Sequence, residues 1–407
     1  MNQASVFPDL PPVPSLASAD LLNDVIREHS RKLTEQIAKQ RLAAFPPSST
    51  KTFRRLSPSE VCQILGVSDD YLRQTAAAVC PPIPGQSRRT YSLEDLAALR
   101  QAMAERSRTP HKFLRHRQKT ETAQIISIMN FKGGSGKTTT SINLTQYLAI
   151  HGYRTLAIDL DPQASLTTLF GLAPETAVGE NQTLYGAIRH DRDRVPISSV
   201  IRKTYIPGLD LIPAGIELME FEHSAPRDKG ETVTFLSRIS DVLPTVLDDY
   251  DVVVIDCPPQ LGFLSLAALV ASTSLLITVH SQMLDVLSMA QFLTMLADIL
   301  DVIAKVPNAP RNSMMFDWHR YLITRFEPTD GPQHQMALFL RAMFGGYVLN
   351  NPTLKSTAIS DAGLTSQTIY EVERSQFTRS TYDRAIESVN AVNEEIAGLI
   401  RTAWGRT

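Results

Sequence analysis

The sequence contains little cysteine, and the spacing of its cysteines matches neither a zinc site nor a redox pair. Cys62, Cys80 and Cys257 are spread over 407 residues, without the CxxC spacing that such sites use. There is no apolar run of about 18 residues, the length that crosses a bilayer as a helix. The Pro-rich stretch 1–18 lacks the basic and apolar segments of a secretory signal. These absences predict a reduced, cytosolic protein without a membrane partner.

Charge is distributed unevenly along the chain. The formal net charge is −2, but residues 51–119 carry a net +7, residues 120–407 a net −9, and residues 1–50 are balanced. At this length, two or three domains are expected. A basic module beside an acidic domain predicts that only the module contacts a polyanion such as DNA. Ordinary solvated surface charge is the alternative explanation.

Short aliphatic and β-branched runs begin after residue 123. They show no polar alternation, which is typical of strands buried on both faces of a parallel sheet. The runs lie at 125–128, 155–158, 252–255, 275–279, 321–324 and 346–349. Helical segments separate them. The pattern therefore predicts an α/β fold with a mostly parallel sheet and right-handed crossovers.

The first part of the chain reads as helical. Apolar residues recur at helical spacing from Asp20 to Ala44, before Pro46 and Pro47, and predict one long amphipathic helix that needs a partner, either the next module or a second subunit. Ser57 begins a capped helix, Gly66 turns the chain, and a second helix follows over 69–78. This helix-turn-helix pattern continues with a possible wing strand at 88–91 and another capped helix from Ser92.

These segments suggest four regions. We predict an N-terminal tail and dimerisation helix (1–50), a winged helix-turn-helix domain (51–105), a basic linker (106–122) and a P-loop ATPase domain (123–407). A plain helical hairpin is the alternative for 51–105. The positive charge favours DNA binding, and the candidates for base or phosphate contact are Arg73, Gln74, Arg88 and Arg89.

A glycine-rich motif directly follows the first predicted strand. Phe131 to Thr139 read Phe-Lys-Gly-Gly-Ser-Gly-Lys-Thr-Thr, and a helix follows. Glycines let backbone N–H groups approach phosphate oxygens, and the helix N-terminus favours the same anion. A lysine then neutralises the β- and γ-phosphates, and a threonine hydroxyl ligates Mg²⁺. The sequence therefore predicts a site for ATP or ADP with Mg²⁺, formed by Gly133, Gly134, Ser135, Gly136, Lys137, Thr138 and Thr139.

Acidic residues follow two other predicted strands. Asp159 and Asp161 come after the run at 155–158, and Asp256 ends the run at 252–255. In an open α/β sheet, the carboxyl ends of the strands line the ligand crevice. Asp256 is therefore a candidate for holding Mg²⁺ through water. Asp159, nearer to its strand, is equally well explained as structural.

The motif departs from the general P-loop pattern, with Phe131 in place of glycine and an additional lysine at 132. In this form it resembles the deviant Walker A motif of the ParA, MinD and nitrogenase iron-protein group. The resemblance implies that Lys132 reaches the nucleotide of a second subunit in an ATP-sandwich homodimer. It also implies that Asp161 orients the attacking water and that Pro213 and Ala214 lie near the base or ribose.

Within that group, Asp-Leu-Asp-Pro-Gln-Ala-Ser at 159–165 and Ile-Asp-Cys-Pro-Pro at 255–259 resemble ParA-type partition ATPases. The N-terminal layout is similar to that of large plasmid ParA proteins, above all those of repABC plasmids, whose winged module is MerR-like. The resemblance implies operator binding and autorepression, slow hydrolysis stimulated by a ParB- or RepB-like centromere-binding protein, and attachment to nucleoid DNA. Candidate cations for this non-specific contact are Lys355, Arg374, Arg379 and Arg384. An ordinary solvated-surface role is the equal alternative for each of them.

Three alternatives belong to other functional classes. A MinD-like membrane ATPase needs a basic amphipathic tail, but the tail from Tyr382 carries Glu387, Glu394 and Glu395. An iron-protein-like reductase needs cluster cysteines, and the predicted ATPase domain has Cys257 alone. A transcription repressor that uses ATP as a conformational ligand remains open. His280 has no role in any of these readings.

Overall fold

The computed structural model of the chain describes residues 22–44, 51–80, 89–224, 235–304 and 315–406. The chain divides into two compact units, residues 1–50 and residues 51–407. The described part of the first unit is helix α1 (Leu22–Ala44), close to the predicted bounds. Arg31 of α1 forms ion pairs with Glu28 and Glu35 along its own helix. Such pairs stabilise a solvated helix modestly.

A seven-stranded sheet forms the centre of the second unit. Its order is β3-β4-β2-β5-β1-β6-β7, and every strand pair is parallel except the antiparallel β3–β4 pair. The prediction of an α/β fold with a mostly parallel sheet is thus confirmed. The strands are β1 (Gln124–Met129), β2 (Thr155–Asp159), β3 (Arg202–Lys203), β4 (Leu209–Ile212), β5 (Val252–Asp256), β6 (Ser274–His280) and β7 (Trp318–Thr324).

Both faces of the sheet are covered. All residues of β1 are buried, and successive side chains enter different cores because strand side chains alternate between faces. Ile126 and Ile128 belong to one apolar cluster, and Ile125 and Met129 to the other. This two-sided burial explains why the strands appear in the sequence as unbroken apolar runs.

Helices of the second unit cover the two faces and connect the strands. The α-helices are α2 (Pro58–Leu65), α3 (Asp69–Val79), α4 (Leu93–Arg106), α5 (Lys137–Ile150), α6 (Ser165–Leu169), α7 (Pro174–Ala177), α8 (Leu184–Ile188), α9 (Met219–His223), α10 (Arg238–Val242), α11 (Phe263–Ala271), α12 (Met283–Ala304), α13 (Gly331–Phe344), α14 (Thr357–Leu364) and α15 (Arg379–Ala403). Short 3₁₀ turns lie at Pro110–Lys112, Ile197–Ser199, Ile216–Leu218, Leu243–Thr245, Leu247–Asp249, Gly345–Tyr347 and Arg374–Gln376.

The helices α2 and α4 have the predicted start signals. Ser57 and Glu60 form a reciprocal capping box at α2, and Ser92 with Asp95 form a second one at α4. Gly66 ends α2 with a positive φ of 63°, a conformation that glycine adopts without strain. The predicted wing is described only from residue 89 onward. There, Tyr91 pairs with Leu56 through two antiparallel backbone hydrogen bonds of 2.9 and 2.7 Å.

Helices α2, α3 and α4, called the helical module below, pack directly on the sheet and its surrounding helices, called the sheet unit. Buried residues of the module, including Leu72 and Leu99, belong to the same apolar cluster as Ile142 of α5. Arg100 of α4 is buried and donates a hydrogen bond to the carbonyl of Ile150, at the end of α5. Arg117 donates to the carbonyls of Leu247 and Tyr250 at 2.9 and 3.0 Å. The predicted linker at 106–122 therefore does not coincide with a gap in packing.

One strand prediction is wrong, and one inner strand of the sheet was missed. The run at 346–349 is not a strand: Gly345–Tyr347 form a 3₁₀ turn, and Val348 makes an isolated bridge to Tyr321. Gly345, directly before the run, has a φ of 54°, so the chain turns as it enters the run. Strand β4 was not predicted, because Asp210 interrupts its short apolar run. Asp210 is tolerated in the interior because Lys203 and the Tyr250 hydroxyl contact it at 2.7 and 2.6 Å.

Within the described residues, one helix is long and apolar enough to span a membrane by length and composition, namely α12. Four of its apolar side chains are buried in the sheet unit: Met289, Phe292, Leu296 and Ile303. Five other large apolar residues of α12 are exposed, namely Met283, Leu284, Leu287, Met295 and Val302. The helix therefore packs on the core along one face.

Candidate nucleotide-binding site

The glycine-rich loop connects the central strand β1 to helix α5. Gly134 and Gly136 have φ values of 75° and 87°, which favour glycine. A side chain added at Gly133 or Gly134 would meet no atom within 4 Å, so the loop borders open space there. Helix α5 begins at Lys137 without a side-chain cap. Its first N–H groups are therefore oriented as in an anion-binding site.

Neighbouring strands fix the loop from outside. The Thr324 hydroxyl of β7 donates to the carbonyl of Ser135 at 2.7 Å. The Thr278 hydroxyl of β6 donates to the Ser135 hydroxyl at 3.0 Å. Asn130 accepts a hydrogen bond from the Lys132 N–H at 3.0 Å. These anchors, which no motif predicted, hold the loop in one conformation before a ligand arrives.

Phe131 explains the missing glycine of the motif. Its ring stacks on Phe292 of α12 with centroids 6.0 Å apart. An aromatic side chain at this position gains area burial and a stacked neighbour. The departure from the general P-loop thus attaches the loop to α12.

Lys137 occupies the position expected of the phosphate-binding lysine. Its side chain is buried, and Nζ donates to the carbonyl of Lys132 at 3.3 Å. Burial lowers the pKa of Lys137, while Asp256, Cys257 and Asp161 oppose that shift. A lysine ammonium has three donors, so phosphate oxygens would complete its hydrogen bonding.

Asp159 and Asp256 lie side by side at the carboxyl ends of β2 and β5. Both are fully buried, and burial raises the pKa of each above its ordinary value. Asp256 Oδ1 accepts a hydrogen bond from Ser141 at 2.8 Å. Its Oδ2 is buried without a hydrogen-bond partner among the described residues. The Thr138 hydroxyl lies beside the same carboxyl. Hydroxyl and carboxylate oxygens are ligands that Mg²⁺ prefers.

Asp159 has a positioning role in this structure. Its Oδ2 accepts hydrogen bonds from the N–H and the hydroxyl of Thr167 at 2.8 and 2.7 Å. Its Oδ1 accepts from the Asp161 N–H at 3.2 Å. Asp161 itself is partly exposed and accepts from the Gln163 N–H at 2.9 Å. Asp159 therefore fixes the loop that carries Asp161.

Pro213 and Ala214 lie behind the loop that carries Asp161. Both are buried, and the Ala214 N–H donates to the Thr167 hydroxyl at 2.8 Å. The contact of Ala214 supports this loop. A contact of Pro213 and Ala214 with base or ribose stays a prediction.

Lys132 and two unpredicted residues lie on the outer side of the glycine-rich loop. Lys132 Nζ forms an ion pair with Asp285, in the first turn of α12, and its side chain is 42% exposed. Arg325, directly after β7, has a φ of 53° and its Nη1 lies 3.5 Å from the carbonyl of Gly134. Neither Asp285 nor Arg325 belongs to a phosphate motif. The positive φ of Arg325 is a strained feature that sequence does not reveal.

The candidate DNA contacts in the helical module have different surroundings. Arg73 is 71% exposed and pairs with Asp69 at 2.5 Å, one turn earlier in α3. Gln74 is exposed beside it. Arg89 instead donates to the carbonyls of Ala76 and Cys80 and lies over the Tyr91 ring. Its contacts close the end of α3. Arg88 lies outside the described residues.

The candidate cations near the C-terminus are exposed, but three of them pair with acids. Lys355 contacts Glu327 at 2.9 Å, and Arg379 contacts Asp383 at 3.7 Å. Arg374 also pairs with Asp383. Arg384 is exposed on α15. The structure therefore brings Arg374 and Arg379 together and leaves Lys355 at another place.

Comparison with known proteins connects this site to a family. A family model described as an AAA domain matches residues 123–306. A protein of Rhizobium rhizogenes, named "Putative replication protein A", is 55% identical over 395 residues, which cover 95% of this chain and 96% of the relative. The chromosome partitioning protein ParA of Myxococcus xanthus is 33% identical over 221 residues, 54% of this chain and 71% of that protein. The chain belongs to the ParA family of P-loop partition ATPases.

The solved structures agree with this family at the level of fold. The complex of Cyanothece McdA(D38A) with ATP covers 70% of this chain and 98% of its own, with a TM-score of 0.53 at 18% identity. At this identity the likeness shows the fold alone, and it assigns no role to individual residues.

Proposed function

We propose that this ParA-family protein is a plasmid-partition ATPase that binds ATP with Mg²⁺, dimerises around the nucleotide and hydrolyses it slowly. The observation that carries the proposal is the buried ammonium of Lys137 close to the buried carboxyl of Asp256, whose Oδ2 has no hydrogen-bond partner among the described residues. A cation and an orphaned carboxylate oxygen at the start of α5 are complementary to a magnesium–triphosphate. The McdA complex, a relative in fold, contains ATP.

The residues divide the work of hydrolysis between them. Loop N–H groups and Lys137 bind the phosphates, and Thr138 with Asp256 would hold Mg²⁺, which neutralises phosphate charge. Asp161, fixed by Asp159, would orient the attacking water. The proposed trans-acting lysine, Lys132, would complete the site of the second subunit. Phosphoryl transfer of this type needs positioning and electrostatics rather than a covalent intermediate.

DNA binding is proposed at two places. The two capped helices with Gly66 between them support operator recognition by α3, where Arg73 and Gln74 are exposed. The C-terminal cations Lys355, Arg374, Arg379 and Arg384 would contact nucleoid DNA without sequence preference. A ParB- or RepB-like partner would stimulate hydrolysis and release the protein. Autorepression of the operon would follow from operator binding.

A cytoplasmic, nucleoid-associated location is part of this proposal. The MinD-like alternative requires the C-terminal helix to insert its apolar face into a bilayer. In α15 that face, which includes Val389, Ile396 and Ile400, is buried in the core. Burial of this face favours the DNA-associated function over the membrane function.

DNA binding measured with ATP, with ADP and without nucleotide, on operator and random duplexes, tests the proposal. We expect random duplex to be bound with ATP alone, and operator to be bound through the helical module. Equal binding to random duplex in all three states would contradict nucleotide control. The alternative of a transcription repressor without partition activity is tested in cells by Lys137→Gln. If the protein is only a repressor, this variant should lose regulation of its operon, and plasmid loss should depend on copy number alone.

A further inference from the structure

The proposed trans-acting lysine is held within its own subunit. Lys132 Nζ pairs with Asp285, whose side chain is 10% exposed. The Lys132 backbone is fixed as well, because its N–H donates to Asn130 and its carbonyl accepts from Lys137. The side chain is therefore directed toward α12 from a rigid base.

His280 completes this cluster. It ends β6, and its Nδ1 lies 3.4 Å from Asp285 Oδ2. Burial lowers the pKa of His280, and Arg325 and Lys132 add to that effect, while Asp285 opposes it. The ring is therefore neutral at neutral pH and orients the carboxylate, and Lys132 is the cation that balances Asp285.

Two destinations compete for one ammonium group. In the proposed dimer Lys132 Nζ must reach a phosphate of the other subunit, and it cannot contact Asp285 at the same time. Building on that proposed function, we infer that Asp285 is a positioning residue that retains Lys132 in cis and releases it only when nucleotide joins two subunits. The ion pair thus sets the nucleotide concentration at which the dimer forms.

Asp285→Asn tests this inference in the full-length protein. The change removes the charge and keeps the shape. A partly exposed ion pair changes an equilibrium by about five-fold, and a dimer contains two such pairs. We therefore expect the dimer dissociation constant with a non-hydrolysable ATP analogue and Mg²⁺ to fall about 25-fold, measured by sedimentation velocity. Asp298→Asn, an exposed acid on the same helix, is the matched control and should leave the constant unchanged.

A second measurement reports the ion pair without requiring a dimer. In nucleotide-free protein, we expect an amine-reactive reagent to acetylate Lys132 several-fold faster in Asp285→Asn than in wild type, as read by mass spectrometry. Exposed Lys119 should react equally in both proteins and serves as the internal standard.

The outcomes separate this inference from the proposed function. If wild type dimerises with nucleotide but Asp285→Asn dimerises equally or more weakly, retention in cis is overturned. Unchanged acetylation of Lys132 overturns it too. If wild type binds nucleotide yet stays monomeric, the proposed dimer fails and the release step with it, while faster acetylation in the variant would still identify the ion pair.

Discussion

At the carboxyl edge of the sheet, Asp256 has a buried oxygen without a partner among the described residues, whereas most described cations of the helical module already have acceptors. Arg89 donates to helix carbonyls, and Arg54 and Arg55 pair with Glu60 and Asp95. Buried polar groups are nearly always paired in folded proteins. The sheet edge is therefore prepared for a ligand, whereas most cations of the helical module stabilise the fold of the module itself.

We expect removal of the phosphate-binding lysine to have the largest effect, which is on ATP affinity. Lys137→Gln eliminates charge-assisted bonds to phosphate and leaves Asp256 uncompensated. We expect ATP affinity to fall about 100-fold, a loss of about 2.7 kcal/mol, as measured by titration with a fluorescent ATP analogue. Lys119→Gln, an exposed lysine, is the control. If both variants bound ATP with the same affinity, the glycine-rich loop would not be the nucleotide-binding site.

Asp161→Asn should separate turnover from binding. The amide still accepts the Gln163 N–H, so the loop keeps its shape, but it orients a water nucleophile poorly. We expect kcat to fall about 100-fold or more while ATP affinity changes less than about three-fold. Single-turnover hydrolysis and equilibrium binding provide the two numbers. A dominant loss of affinity would show that Asp161 binds rather than positions.

Arg89→Ala and Arg73→Ala should have different effects on stability and on DNA binding. Arg89→Ala removes bonds to two carbonyls, so the free energy of unfolding should fall by about 1–3 kcal/mol. Arg73→Ala removes an exposed ion pair and should cost less than about 1 kcal/mol, yet weaken DNA binding. Denaturant unfolding and salt-dependent DNA titration measure the two effects. The comparison fails if Arg73→Ala is the more destabilising change.

The Asp256 carboxyl makes a smaller, pH-dependent prediction. Burial raises its pKa in the folded chain, so the folded state holds this proton more tightly than the unfolded state. The contribution of this carboxyl to stability is therefore most favourable below the ordinary carboxyl pKa of about 4 and becomes less favourable as pH rises toward the folded value. Asp256→Asn should remove that loss. In nucleotide-free protein, we expect its Tm advantage over wild type to be larger at about pH 7 than at about pH 4; a constant difference would contradict the raised pKa.

The nucleotide loop and the strands around it were predictable because each leaves a local signature. Buried parallel strands appear as unbroken apolar runs, and the glycine pattern of 133–136 encodes backbone approach. Strand β4 could not be found, since Asp210 is neutralised by Lys203 and Tyr250, which are separate in sequence. The apolar residues Tyr347, Val348 and Leu349 have the composition of a strand, although the chain there forms a 3₁₀ turn followed by an isolated bridge. The Lys132–Asp285 pair joins residues with no shared motif, so it required the fold.

The arginine anchor at the end of α5 has a practical consequence. Arg100 donates to the Ile150 carbonyl, and its side chain lies close against Gly152, where a methyl group would come within 2.7 Å of Nε. A fragment beginning at residue 123 would lack Arg100 and would expose the apolar surface on which the missing residues pack. Truncation is thus a poor way to isolate either activity: such a fragment should aggregate, and point substitutions in the intact polypeptide are the sounder tool.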